Sequence, residues 1–305
     1  MAAWLPRSGF RLHPQSSDLR SPCMSILPRL SACLALFILT GSLYAQQTVS
    51  VPRADGALTP LMVYDATSAT CPPLLLISPG AGGDEKGMRY LGEAMSRDGW
   101  RTIVMGHRES GMASLRADVR QSGGIRRGVA TMVSTPTDYR ARLMDIDAAL
   151  QWSQQRCRAP FKALLGHSMG ARTVQIEAGA LNKLGVHGEG GFDAYVALSP
   201  AGPDEVFPVA AERNIQLPML MITGTRDSGM DGDYHWRMQA FDALSARCSW
   251  LAVIDGSTHM NFAGAGVAGK TRTATIALTT TWLDGLRAGH CGELPNLAGV
   301  SLTHK

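Results

Sequence analysis

The sequence holds no Cys-x-x-Cys and no His-x-x-x-His. Zinc and dithiol sites need ligands clustered at such spacings, so no metal site is expected. Charge is scarce as well: Asp, Glu, Lys and Arg make up 18% of the chain, and the formal net charge is +4. Most of that excess sits at the N-terminus. Four basic residues (Arg7, Arg11, Arg20, Arg29) and one acidic residue (Asp18) precede residue 46; the remainder carries 25 basic and 24 acidic groups, a net of +1. So even a balance gives no electrostatic argument for a nucleic-acid partner. No internal repeat is visible. The apolar stretch Leu30 to Ser42 is 13 residues long, short of the roughly 20 needed to span a bilayer.

That stretch reads instead as the apolar region of an export signal. Met24 to Arg29 is a short basic lead, and Leu43-Tyr44-Ala45 ends in a small residue suited to cleavage before Gln46. Met24 is an alternative start to Met1. Leu30-Ser31-Ala32-Cys33 superficially resembles a lipoprotein box, but the apolar region follows Cys33 instead of preceding it. Residues 1–45 are therefore set aside, and residues 46–305 are expected to form a single α/β domain in a secreted or periplasmic protein, with no stable membrane anchor after cleavage. Four cysteines remain (Cys71, Cys157, Cys248, Cys291), an even number that allows two disulfides in an exported chain.

What the chain does contain is an alternation of apolar strands and amphipathic helices. Gln47 to Arg53 and Pro60 to Tyr64 read as the first two strands. Leu74 to Ser78 is continuously apolar, as for a strand buried on both faces. Lys86 to Arg97 has helical spacing with Met88, Leu91 and Met95 on one face. Further strands are expected at Trp100 to Gly106, Ala163 to Leu165, Ala194 to Ser199, Pro218 to Thr223 and Ser249 to Ile254. Helices are expected at Asp138 to Gln155, Ala171 to Ala178, Asp233 to Ala246 and Thr271 to Arg287. Residues 107–137 read as a long excursion with one short helix, Ser114 to Gln121, either a pocket rim or lid or a solvated insertion. The alternation predicts a mainly parallel sheet of about eight strands, flanked by helices on both faces. Functional residues should then lie beyond the carboxyl ends of the strands.

Gly166-His167-Ser168-Met169-Gly170 lies at one such end, between a strand and a helix. Gly-x-Ser-x-Gly in that context is the nucleophile elbow: a sharp turn exposes the Ser168 hydroxyl, and the following helix aims its N-terminus at the site. A serine hydroxyl is a poor nucleophile at neutral pH and needs a base, which in turn needs an acid to hold its tautomer. His259 follows the last predicted strand and Asp227 the one before it. Alone, a loop histidine is usually a surface residue and a turn aspartate a turn residue. Placed on successive strand ends after the elbow, they read as a triad. Of the three aspartates after that strand, Asp227 lies closest to it, whereas Asp231 and Asp233 are further on and Asp233 suits a helix cap.

An oxyanion hole needs two converging N–H groups. Met169 supplies one. The other should come from Ser78-Pro79-Gly80-Ala81-Gly82-Gly83: Pro79 has no N–H, so Ala81 is expected, with Gly80 or Gly82 as alternatives. A phosphate loop would continue into Gly-Lys-Ser/Thr; Asp84-Glu85 follow here. Gly80, Gly82, His107 and His167 are candidate pocket residues, with a surface salt bridge as the other reading for His107-Arg108-Glu109.

With these motifs the chain resembles the α/β-hydrolase superfamily, and within it the dienelactone-hydrolase-like and platelet-activating-factor-acetylhydrolase-like serine esterases. The resemblance is carried by the loop at 78–83, the elbow at 166–170, Gly224-Thr225-Arg226-Asp227 and Gly256-Ser257-Thr258-His259-Met260-Asn261-Phe262, and spans roughly residues 58–288. It implies a cofactor-independent esterase acting on a small-molecule ester. Two departures matter. Dienelactone hydrolases use Cys as nucleophile where this chain has Ser168, which favours ordinary ester hydrolysis. The His-Gly-Gly-Gly motif of hormone-sensitive-lipase-like esterases is absent. A peptidase or acyltransferase with the same triad, or a non-catalytic binding module, are the alternatives. In the usual sheet order Cys71 and Cys157 begin neighbouring strands, and Cys248 and Cys291 meet at the same edge, which predicts Cys71–Cys157 and Cys248–Cys291. Oligomeric state is not legible.

Overall fold

A computed structural model describes residues 46–66, 70–230 and 232–305. The expected export signal and Asp231 lie outside the described residues. A nine-stranded sheet runs through the structure: β1 (Gln46–Pro52), β2 (Leu58–Tyr64), β3 (Leu74–Ser78), β4 (Arg101–Met105), β5 (Lys162–His167), β6 (Ala194–Leu198), β7 (Met219–Arg226), β8 (Trp250–Thr258) and β9 (Val300–His304). Their order is β1-β2-β4-β3-β5-β6-β7-β8-β9. The strands from β4 to β8 in that order pair in parallel, while β1, β2 and β9 run antiparallel to their neighbours.

Among the described residues eight α-helices connect them: α1 (Arg89–Arg97), α2 (Met112–Ser122), α3 (Ile125–Ser134), α4 (Pro136–Gln154), α5 (Met169–Glu177), α6 (Tyr234–Ala243), the short α7 (His259–Phe262) and α8 (Gly269–Arg287). Both sheet faces are covered, which is why β3 can be apolar throughout. Leu74 and Leu76 belong to the core under α4, α5 and α6, with Ile146, Val174 and Phe241. Leu75 and Ile77 belong to the opposite core under α1 and α8, with Leu91 and Leu278. Burying a side chain of this size is worth about 1.5–3 kcal/mol, and the alternation fixes the strand's register.

Three features depart from expectation. Among the described residues the sheet has nine strands, in line with the expected eight or so, but one of them lies where no strand is expected. The extra one, β9, pairs with β8 at the edge, where half-exposed positions give no continuous apolar signal. The helix expected from Lys86 begins at Arg89, because Met88 is left-handed (φ 54°). The excursion after β4 holds two helices, α2 and α3, that turn on Gly123 (φ 72°) and Gly124. Gly128 lets them close: a Cβ there would lie 2.6 Å from the Val119 backbone nitrogen. A glycine inside a helical pattern weakens its sequence signal, so α3 was not expected.

Cys71 pairs with Cys157 and Cys248 with Cys291, at Cα separations of 5.6 and 4.7 Å. Both lie in the range a disulfide tolerates. Among the described residues no helix is long and apolar enough to cross a membrane.

Candidate active site

β5 ends at His167 and α5 begins at Met169, which leaves Ser168 alone to make the turn. Its backbone takes φ 57° and ψ −117°, a conformation costly for a residue with a Cβ. The turn closes because its flanks are glycine: a side chain at Gly166 would run into the Gly170 carbonyl, and one at Gly170 into the Ser78 carbonyl oxygen. The Ser168 N–H donates to Leu198 O at 3.0 Å, tying the turn to β6.

Ser168 Oγ lies 2.9 Å from His259 Nε2, and His259 Nδ1 lies 2.9 Å from Asp227 Oδ1. His259 opens α7, whose entry is a capping box. Thr258 is the cap, and Asn261 Oδ1 accepts the Thr258 N–H at 3.0 Å. The ring is therefore aimed by a local motif within Thr258-His259-Met260-Asn261 that the sequence shows in retrospect. Asp227 follows β7 in a tight turn, its N–H donating to Gly224 O at 2.9 Å. Its Oδ2 accepts from Thr223 Oγ1 at 2.9 Å.

Arg237 of α6 is the ion-pair partner of Asp227. Its Nε sits 3.0 Å from Asp227 Oδ1, and its Nη1 donates to the Ser199 and Pro200 carbonyls at 3.1 and 2.9 Å. Burial alone would raise the Asp227 carboxyl, but the His259 hydrogen bond and the Arg237 charge outweigh it and hold it below the ordinary value. An ionised Asp227 takes the Nδ1–H and leaves Nε2 free to accept from Ser168. Asp233, by contrast, caps α6 and accepts the His235 N–H at 2.9 Å.

His167 is not a pocket residue. It is 3% exposed, and its Nε2–H donates to His259 O at 3.0 Å. Burial, with the nearby His259 as the next cause, lowers it to about 3. It is a neutral strut under the His259 loop. His107 is not a pocket residue either, nor is it on the surface. It is 2% exposed, bonded to Ser78 Oγ and Asp145 Oδ2 at 2.8 Å each. The ion pair of that segment belongs to Glu109, 2.7 Å from Arg53. Gly82 is excluded as an oxyanion donor because its N–H goes to Ser110 O at 2.8 Å. Among the described residues no hydrogen bond engages the Ala81 N–H, and Met169, first in its helix, has no intrahelical acceptor. Gly80 lies against Ser168: a Cβ there would be 3.2 Å from Ser168 Cβ.

A cavity of about 240 Å³ opens on Ser168 and His259, walled by Val129 and Val133 of α3 and by Met230 and Trp236. A second, of about 280 Å³, shares Val133, Arg172 and Met230 with it. The excursion after β4 is thus a wall of this space. Nothing in the sequence marked Arg237, Val129 or Val133 as site residues. Among the described residues no group of His, Cys, Asp and Glu could hold a metal ion.

No protein-family model and no curated protein matches the sequence. Solved structures do match in fold. A protein of Klebsiella pneumoniae subsp. pneumoniae named as a dienelactone hydrolase aligns with a TM-score of 0.57 at 15% identity, over 76% of this chain and 94% of that one. The acylaminoacyl peptidase of Pyrococcus horikoshii aligns with a TM-score of 0.53 at 13% identity, over 79% of this chain and 41% of that one. The chain has the α/β-hydrolase fold. At such identities the likeness speaks for the fold and not for the substrate.

Proposed function

We propose that this protein is a serine hydrolase that cleaves carboxylic esters through an acyl-enzyme, with residues 46–305 as one catalytic domain and no cofactor. The observation that carries the reading is the continuous chain Ser168–His259–Asp227, both links 2.9 Å, opening on the 240 Å³ cavity. His259 Nε2 takes the Ser168 proton as Oγ attacks the ester carbonyl. The N–H groups of Ala81 and Met169 stabilise the oxyanion. The tetrahedral intermediate collapses, and the proton on Nε2 goes to the leaving alcohol. Water then gives a proton to Nε2 as its oxygen attacks the acyl carbonyl, and that proton passes to Ser168 Oγ as the acyl–Oγ bond breaks, releasing the carboxylic acid and restoring Ser168 and neutral His259. Two disulfides fit an oxidising compartment, in keeping with a secreted or periplasmic protein.

A fluorophosphonate probe tests the reading. It should label the folded protein on Ser168, located by peptide mass mapping, and p-nitrophenyl acetate or butyrate should turn over faster than the octanoate, given the small cavity. Absence of labelling would leave a non-catalytic module on this fold. Faster cleavage of an amide than of its matched ester, or an alcohol outcompeting water, would move the assignment to a peptidase or an acyltransferase.

A further inference from the structure

Behind the oxyanion loop lies a second Ser–His–Asp array that the proposed mechanism does not use. Ser78 Oγ is 2.8 Å from His107 Nε2, and His107 Nδ1 is 2.8 Å from Asp145 Oδ2. Exposure is 0%, 2% and 1% for the three residues, so no substrate reaches Ser78. Burial first, and the Arg142 charge second, lower His107 to about 4, which keeps the ring neutral. With Asp145 receiving the Nδ1–H, Nε2 must accept the Ser78 O–H. Asp145 is itself held by Thr59 Oγ1 and by Arg53 Nη1 at 3.3 Å. The Ser78 oxygen then faces one remaining partner, Arg142.

Arg142, on α4 and 1% exposed, is the hub. Its Nη1 donates to Ser78 Oγ at 3.2 Å and to Pro79 O at 2.8 Å, its Nη2 to Gly80 O at 3.4 Å, and its Nε to Ser110 Oγ at 2.8 Å. Ser110 in turn accepts the Gly82 N–H on its backbone carbonyl. One rigid guanidinium therefore holds both ends of the loop. In a trans peptide the C=O and the next N–H point in opposite directions. Drawing the Gly80 carbonyl towards Arg142 thus turns the Ala81 N–H away from it. Three of the six residues from Ser78 to Gly83 are glycine, and without such an anchor the loop would sample many conformations.

We propose that Arg142, braced by the sealed Ser78–His107–Asp145 chain, is a positioning residue that sets the Ala81 N–H for the oxyanion before substrate arrives. This rests on the serine-hydrolase reading above and adds a device to it. Neither Arg142 nor Ser78 touches substrate; both act through the loop.

The test uses the full chain with Arg142→Lys, Arg142→Met and Ser78→Ala. It reads kcat, KM and the rate of fluorophosphonate labelling, because the phosphonyl oxygen occupies the same hole as the ester oxyanion. Loss of one oxyanion donor typically costs 10²- to 10³-fold in kcat, so a displaced donor should cost about 10- to 100-fold. KM should stay within about threefold, and labelling should slow by the same factor as kcat. Arg142→Lys keeps the charge but cannot fork, so it should resemble Arg142→Met. Should Arg142→Met fail to fold, Ser78→Ala removes a single oxygen and should still lower kcat about tenfold. Folded Arg142→Lys and Ser78→Ala proteins with wild-type kcat and labelling rate, even at a lower Tm, would overturn the proposal, as would a rise in KM at constant kcat. Failure of the wild type to label, or ester turnover surviving Ser168→Ala, is a separate result that removes the hydrolase reading itself.

Discussion

Asp227→Asn probes what the buried acid does, because it changes charge without changing shape. In the native site His259 Nδ1 faces two groups, Asp227 Oδ1 at 2.9 Å and Arg237 Nη2 at 3.2 Å. Nδ1 can donate to the first or accept from the second, not both. The carboxylate decides the matter by taking the proton. An Asn side chain has no such pull, and the guanidinium becomes the stronger partner. Nδ1 then accepts from Arg237, the ring proton moves to Nε2, and Nε2 faces Ser168 as a donor that cannot take its proton. Loss of the correct tautomer in a triad costs on the order of 10⁴-fold in kcat. Breaking the buried Asp227–Arg237 pair should also destabilise the fold, by about 3–5 kcal/mol where one partner of such a pair is removed. The assay is kcat with a p-nitrophenyl ester on protein verified as folded, with imidazole ¹⁵N shifts reporting the tautomer. Asp233→Asn should keep near-normal turnover, since Asn caps α6 as well as Asp does, and Asp231→Asn should also cost little. If Asp227→Asn retains a tenth or more of wild-type kcat, or if Asp231→Asn is the inactive variant, the assignment of the acid is wrong.

Ser168→Ala should leave the circular dichroism spectrum unchanged, abolish fluorophosphonate labelling and lower kcat by about 10⁴-fold or more; substantial residual turnover in a clean preparation would point to another nucleophile. Reduction of both disulfides should lower Tm markedly: they join residues 86 and 43 apart, and chain entropy alone gives about 4–5 kcal/mol for loops of that length, with about 2–4 usually measured. An unchanged Tm under full reduction would refute this. Burial raises Glu177 to about 8, despite the Gly190 N–H it accepts. The folded chain therefore holds a proton that the unfolded chain has lost, so stability should fall as pH rises from about 4.5 to 8, by at most about 1.4 kcal/mol per pH unit. Glu177→Gln should flatten that slope, as read from urea unfolding at a series of pH values; an unchanged slope would sink the idea.

What was legible in the sequence was what local pattern encodes. β3 is apolar on both faces because it is buried on both, and Gly166 and Gly170 are spaced by a turn that excludes any side chain. The four cysteines fall at strand starts and beyond the last helix, positions that topology brings together. Asp227 and His259 could be placed because a parallel sheet puts successive strand ends side by side. What was not legible depends on long-range partners. His107 looks like a loop residue until Ser78 and Asp145, 29 and 38 positions away in sequence, close around it. Arg142 sits among the apolar positions of α4 with no sign that its guanidinium reaches Pro79 O, 63 positions away. α3 and β9 were missed for a different reason, one interrupted by Gly128 and the other half exposed at an edge.

The two histidine–aspartate pairs make an argument about environment. His259 and Asp227 follow the carboxyl ends of β8 and β7, and His107 follows that of β4 while Asp145 lies on α4; both pairs link a serine to a carboxylate through an imidazole. His259 has a side chain 30% exposed and opens on the cavity, whereas the His107 side chain is 1% exposed and meets no solvent. Proton transfer during turnover needs a ring that can gain a charge, and a charge gained near solvent and beside a buried carboxylate is tolerable. For His107 burial and the Arg142 charge both oppose protonation, so the same three side chains become a fixed scaffold. The division follows from the wall each pair faces: α3 and the Asp227 loop leave room above Ser168, while Arg142 fills the space above Ser78. Opening that second space by Arg142→Met removes the charge and the donors together. Even so it should not create a second reactive serine, because Ser78 would still lack an approach for substrate. Fluorophosphonate should therefore label the Arg142→Met protein at Ser168 alone; a mapped adduct on Ser78 would show that the sealed array is a latent catalytic site and not a brace.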